Sequence, residues 1–269
     1  MAEELDTRRG RFSVIDRGEG TPVVLVHGFP FASDSWSADA EVLSERMRII
    51  APSMRGFGAS NAEELGSLSI DGMAEDVAAI LDALELHRVV LGGLSMGGYV
   101  TLSFARMFPH RLRGLVLADT RAEPDSEEGR ANRDRAIARV EAGDQAGFVD
   151  ALLGSILAPS TRSSRPEIVE QVRAMGMRAR PPSVVAALRA MRDRADARPV
   201  LGSIEVPTLV VVGEDDALIP PAASRAIVAA MAEGRATEVV IPDAGHMSNL
   251  ERPDAFRAAI TTFVAELGT

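Results

Sequence analysis

Short, uninterrupted apolar runs are what most constrain the fold of this chain. "PVVLVHG" (22–28), "MRIIAPS" (47–53), "RVVLGG" (88–93) and "RLRGLVLAD" (111–119) each read as a strand, and helical text separates them. A strand with one solvated face alternates apolar and polar residues, whereas one that is apolar throughout is covered on both faces. Helical patterns fall at 38–45 and 70–84, where Met73, Val77, Ile80, Leu81 and Leu84 recur at helical spacing. This alternation predicts an α/β fold, a mostly parallel central sheet with helices on both faces. "FSVID" (12–16) is a further strand, paired with "LDTR" (5–8) through a turn near Gly10.

After Asp119 the strand text stops. Residues 121–198 carry charged and Ala-rich helical text, interrupted at "LAPSTRSSRPE" (157–167) and "ARPPS" (179–183). "VPTLVVVGEDD" (206–216) and "ATEVVIPDAGH" (236–246) then restore the strand pattern, and a helix is expected from Pro253 to Leu267. The expected organisation is a core domain of residues 1–120 and 199–269 with a helical insertion over 121–198.

Composition removes several chemistries. A formal net charge of −10 argues against a nucleic-acid partner, because phosphate binding needs a basic face. The chain has no cysteine, so disulfides, thiol nucleophiles and thiolate metal sites are absent. It also has no lysine; all 29 basic residues are arginine, which excludes Schiff-base chemistry and a phosphate-loop lysine. No run is long enough to span a bilayer, and no apolar run follows "MAEELDTRRGRF". No membrane association, no signal peptide and a cytoplasmic location are therefore expected. Neither a metal nor a cofactor is expected.

The chemistry concentrates around Gly93-Leu94-Ser95-Met96-Gly97, a G-x-S-x-G sequence between a strand and the helical "YVTLSFARMF". At a tight strand-to-helix turn the serine backbone is strained and flanking side chains collide, which calls for glycine. The bland alternative is a glycine-rich connection. A dinucleotide or phosphate loop is not matched, for want of G-x-G spacing and a following lysine.

A serine hydroxyl needs a base. Of the four histidines, His87 and His110 belong at the far end of the sheet, and His27 ends a buried strand, where a structural role is expected. His246 follows the last strand, in a loop that opens on the same sheet edge as the serine turn. It is the expected base, titrating near the ordinary 6.5. Its acid partner is expected at a strand end, where Asp119, Asp215 and Asp216 all stand between Ser95 and His246 in the chain. The spacing Gly213-x-x-Asp216-x-x-x-Pro220 favours Asp216, leaving Asp215 and Asp119 as alternatives. Oxyanion donors are expected from the backbone N–H groups of Met96 and Phe29, since Pro30 has none to give. Trp36, Arg121 and Arg194 are candidate substrate-pocket residues, although arginines of a charged helical surface are ordinarily solvated.

"HGFP", "RGFGAS", "GLSMGG", "GEDDALIP" and "GHMSNLERP" occur in an order that resembles the α/β-hydrolase superfamily. "GLSMGG" and "LVLADT" are most similar to the group of 3-oxoadipate enol-lactonases and small carboxylesterases. The resemblance implies the α/β-hydrolase fold, Ser95 as nucleophile, Asp216 as acid and His246 as base, with 121–198 forming a helical cap. One departure is Ser53, where relatives often carry aspartate. The expected function is hydrolysis of a small carboxylic ester or lactone through an acyl-enzyme. A C–C bond hydrolase, a perhydrolase and a non-catalytic small-ligand receptor are the alternatives. The expected partner is a small-molecule substrate.

Overall fold

The computed structural model describes residues 2–61 and 65–268. Its strands are β1 (Glu3–Thr7), β2 (Gly10–Arg17), β3 (Pro22–Val26), β4 (Arg48–Pro52), β5 (Val89–Leu94), β6 (Leu112–Ala118), β7 (Thr208–Gly213) and β8 (Ala236–Ile241). Among the described residues they form one eight-stranded sheet in the order β1-β2-β4-β3-β5-β6-β7-β8. The hairpin β1–β2 and the β2–β4 pair are antiparallel; every other neighbour pair is parallel.

Helices α1 (Ser37–Leu43), α2 (Ile70–Ala83) and α3 (Met96–Met107) connect the first strands. Between β6 and β7 run α4 (Glu127–Glu141), α5 (Gln145–Ile156), α6 (Pro159–Ser164), α7 (Pro166–Met177), α8 (Pro181–Arg192) and α9 (Arg198–Leu201). The chain continues through α10 (Pro221–Ala230), α11 (Ser248–Glu251) and α12 (Pro253–Glu266). No helix among the described residues is long and apolar enough to cross a membrane.

The unbroken apolar runs have the predicted cause. Val24 and Val26 of β3 and Val89 and Leu91 of β5 pack on one face, in a cluster with α2 and α3 residues such as Val77, Val100 and Phe104. Val23, Leu25, Val90 and Leu94 point to the other face and join Leu43 of α1 and Phe256 and Ile260 of α12. Each strand thus feeds two cores, and no position along it is left for a polar residue.

Proline text within 157–183 divides the helices differently from the expectation. "LAPSTRSSRPE" is not a plain break but holds α6, and Pro159, Pro166 and Pro181 each open a helix. The first turn of a helix has no use for an N–H, and proline's fixed φ suits it, so these residues start helices rather than end them.

His27, just beyond β3, is fully buried and has backbone partners at both ring nitrogens. Nδ1 donates to the Gly28 carbonyl (2.9 Å) and Nε2 accepts the Met54 N–H (2.9 Å). Burial pushes its pKa down to about 4, against smaller opposing pulls from Gly28 and Asp34. The imidazole therefore contributes stability fully present above about 6.5, and that contribution is lost as pH falls from 6.5 through 4. Its size is about 3 kcal/mol. Asp39 and Asp119, with carboxyls pushed up by burial to about 6 and about 7, act in the opposite sense over the same range. The test is thus a difference: in urea titrations at pH 7.5 and 5, wild type should lose more stability than His27→Gln. Equal losses would show that His27 is not the titrating group.

Candidate active site

Ser95 stands between β5 and α3, with φ 56° and ψ −111°. An L-residue adopts this conformation only under strain. Three contacts enforce it: the Ser95 N–H donates to Ala118 O (2.9 Å), and the Ser95 carbonyl accepts from the Gly98 N–H (2.9 Å) and the Thr120 hydroxyl (2.9 Å). Space is equally short. A Cβ on Gly93 would lie 2.1 Å from the Gly97 carbonyl oxygen, and one on Gly97 would lie 2.2 Å from that of Val26. Both are backbone contacts that cannot yield, so the glycines at these positions permit the turn.

His246 lies in the loop after β8. Its Nδ1 is 2.7 Å from Asp216 Oδ2, and both side chains are buried. Asp216 is itself fixed, because Oδ1 accepts the N–H groups of Leu218 (2.9 Å) and Ile219 (2.8 Å). With those donors on Oδ1, Oδ2 is left to receive Nδ1–H, which leaves Nε2 as the nitrogen free to act on a substrate. Burial works against the His246 imidazolium. The Asp216 charge and hydrogen bond, and then Asp119 and Glu251, outweigh it and raise the pKa above the expected 6.5.

The His246 loop is also fastened to the helices between β6 and β7. His246 N–H donates to Ile156 O at the end of α5 (2.9 Å). The buried Glu251 carboxylate accepts the N–H of Gly245 (2.9 Å) with one oxygen and that of Ala158, ahead of α6, with the other (2.9 Å).

A cavity of about 630 Å³ is lined by Ser95 and His246 together. Phe29, Phe148, Leu152, Ile156, Leu188, Met191 and Ile219 give it an apolar wall. Its polar lining includes Arg121 and Asp125 and the α4 residues Glu128, Asn132, Arg133, Arg135 and Arg139. No cluster of three His, Asp or Glu side chains suited to a metal ion occurs among the described residues.

The model of the α/β-hydrolase fold family matches residues 21–253. The chain belongs to the α/β-hydrolase family. A thermophilic esterase from Thermogutta terrifontis, solved with malate bound, superposes on this α/β hydrolase with TM-score 0.93 and 38% identity, covering all of both chains. The enol-lactonase from Burkholderia xenovorans LB400 matches at TM-score 0.89 and 25% identity, over 98% of this chain and all of the other. Among curated relatives, the dihydrolipoyllysine-residue acetyltransferase component of the acetoin cleaving system of Pseudomonas putida is 31% identical over 258 residues. That match takes in 91% of this chain but 64% of the relative's length. The 2-hydroxy-6-oxo-2,4-heptadienoate hydrolase of Pseudomonas putida is 46% identical over 105 residues, which is 38% of each chain. The enol-lactonase and esterase likenesses agree with the group suggested by "GLSMGG" and "LVLADT".

Within this α/β hydrolase the expected site residues separate. Ser95, His246, Phe29 and Arg121 line the cavity. Met96 is buried as the first residue of α3, where its N–H has no carbonyl within the helix to bond. A Cβ on Gly28 would sit 3.6 Å from the Ser95 Cβ, so the chain entering Phe29 passes beside the serine. Asp215 is exposed and Asp119 contacts other partners, which leaves Asp216 on His246.

Trp36 corrects the expectation of a pocket residue. It is 1% exposed and packs on Phe256 with ring centroids 5.8 Å apart, in the core between α1 and α12. Arg194 is corrected too. Its Nη1 donates to Asp125 Oδ1 (2.7 Å) and Met191 O (2.8 Å), and its Nη2 donates to Glu123 O (2.7 Å). The guanidinium also lies over the Tyr99 ring, 4.1 Å from its centroid. Arg194 is a brace behind the cavity wall. Ser53 has a structural partner, donating to Ser33 Oγ at 2.9 Å.

The α4 face was not expected as a cavity lining. Glu128, Asn132, Arg135 and Arg139 form it at helical spacing, and all four are exposed, as charged helical text ordinarily is. Tyr99, which also lines the cavity, carried no comparable mark.

Proposed function

We propose that this protein is a serine hydrolase that cleaves a small carboxylic ester or lactone, with Ser95 as nucleophile, His246 as base and Asp216 as its acid partner. The observation that carries this reading is one cavity lined by both Ser95, on a strained turn, and His246, whose Nδ1 is engaged by Asp216. Ser95 Oγ attacks the carbonyl carbon as His246 Nε2 takes its proton, and the negative oxygen is received by the N–H groups of Phe29 and Met96. The proton then passes to the departing alkoxide. Water, deprotonated by the same histidine, releases the acid and regenerates the serine. In this reading the residues 121–198 act as a cap over a core of 1–120 and 199–269, and the substrate lies between its apolar and arginine-lined walls. Arg121, which lines the cavity while its Nη2 donates to Asp125 Oδ1 (2.9 Å), is assigned to a polar group of the substrate. Likeness to an esterase and an enol-lactonase supports the reaction class.

A fluorophosphonate separates this enzyme from a receptor on the same fold. The reading expects one adduct per chain, located by peptide mass spectrometry on Ser95, and loss of p-nitrophenyl butyrate and enol-lactone hydrolysis in step with labelling. Hydrolysis that persists after complete labelling of Ser95 would sink it, as would the absence of any hydrolysis.

A further inference from the structure

Asp119 is the buried carboxylate that the proposed reaction leaves unused. It directly follows β6 with φ 45°, and it is 0% exposed. Its Oδ1 accepts the Gly213 N–H at the end of β7 (2.8 Å), and its Oδ2 accepts the Ser248 hydroxyl (2.5 Å). Gly213 begins the loop that carries Asp216, and Ser248 lies two residues after His246. The Asp119 N–H donates to Val211 O (2.9 Å), so the carboxylate is tied to the sheet by its own backbone.

We propose that Asp119 is a positioning residue that ties the acid-bearing loop to the base-bearing loop, one carboxylate oxygen on each, and so holds Asp216 and His246 in hydrogen-bonding register. The inference rests on the reading of Ser95, His246 and Asp216 as the reacting groups. A carboxylate fits the task better than a neutral acceptor. Gly213 offers a donor on one side and Ser248 a donor on the other, and ionised aspartate accepts at both oxygens. Burial without a cation to pair with would be a poor design for a structural tie alone.

The electrostatics give the tie a second consequence. The charged side chains acting on His246 are Asp216 from the loop after β7, Asp119 from the end of β6 and Glu251 from α11. Burial and then the Asp216 charge push the Asp119 carboxyl up to about 7, against the pull of His246, the Ser248 hydroxyl and the Gly213 N–H. The two groups act on each other, and an ionised Asp119 favours the His246 imidazolium.

Asparagine in place of Asp119 keeps the shape and removes the charge. Its carbonyl can accept from Gly213, while the Ser248 hydroxyl turns to accept from its amide. Alanine removes both ties. The experiment measures kcat and KM for a p-nitrophenyl ester from pH 5 to 9 in wild type, Asp119→Asn, Asp119→Ala and Ser248→Ala. Alongside it, the His246 imidazole is titrated by NMR in a Ser95→Ala background, with and without Asp119→Asn.

Asp119→Ala should lower kcat about 10- to 100-fold with KM little changed, as misplacement of a base does. Asp119→Asn should recover most of that loss above pH 7, while its acid limb and the His246 midpoint move down by about 0.5 or more in pH. Ser248→Ala, with one tie cut and the charge kept, should lower kcat but leave the midpoint above that of Asp119→Asn. If Asp119→Ala does not fold, the other two variants decide. A wild-type kcat in Asp119→Ala or Ser248→Ala overturns the tie, and an unmoved His246 midpoint in Asp119→Asn overturns the charge coupling. Should Ser95→Ala itself keep ester hydrolysis, the reaction assignment fails, and the NMR midpoint still reads Asp119.

Discussion

Ser95→Ala should lower kcat/KM for a short-chain p-nitrophenyl ester by about 10⁴-fold or more while leaving the fold in place. The hydroxyl is the only atom group removed, and the contacts that hold the turn are made by the Ser95 backbone, to Ala118, Gly98 and Thr120. Alanine faces the same strained φ of 56° as serine, so the strain is common to both proteins. Thermal unfolding should accordingly shift by no more than a surface substitution does, about 0.5 kcal/mol. Steady-state kinetics and a melting curve on the same preparation check both halves. A variant with a tenth of wild-type activity would mean that another nucleophile operates.

Asp216→Asn should cost about 10³- to 10⁴-fold in kcat, although it changes one atom. The direction follows from the two N–H groups that face Oδ1, those of Leu218 and Ile219. Both donate and so require the carbonyl oxygen opposite them, and the asparagine must place its NH₂ toward His246. That group donates, and Nδ1 must then accept, which moves the imidazole proton to Nε2. A base protonated on its working nitrogen cannot take the serine proton. NMR of the imidazole should show the proton transferred from Nδ1 to Nε2, and a variant that keeps both the Nδ1 proton and wild-type kcat would show that another carboxylate does the work.

The sheet was legible because its strands are buried twice over. Val23 to Val26 and Val89 to Leu91 have to be apolar at every position, and that is visible without knowing what covers them. Ser95 and His246 were legible for a different reason: the parallel sheet puts both loops on one edge, and few residues of suitable chemistry occupy it. Other features depend on contacts between distant segments. Trp36 reads equally as pocket or core until Phe256, from the last helix, is found against it. Arg194 carries no sign in its own neighbourhood that Asp125 and the Tyr99 ring absorb it. The link from Asp119 to Ser248 spans 129 positions, and only the folded chain brings the two together. His246's raised pKa likewise comes from Asp216, Asp119 and Glu251 converging from three segments.

The fastening of the His246 loop to the end of α5 has a bearing on traffic. His246 N–H on Ile156 O, and Glu251 on both Gly245 and Ala158, make one seam between the helices and the His246 loop. Parting that seam to admit a molecule would break both bonds that cross it, His246 N–H to Ile156 O and Ala158 N–H to Glu251, so passage there and a fixed His246 loop are mutually exclusive.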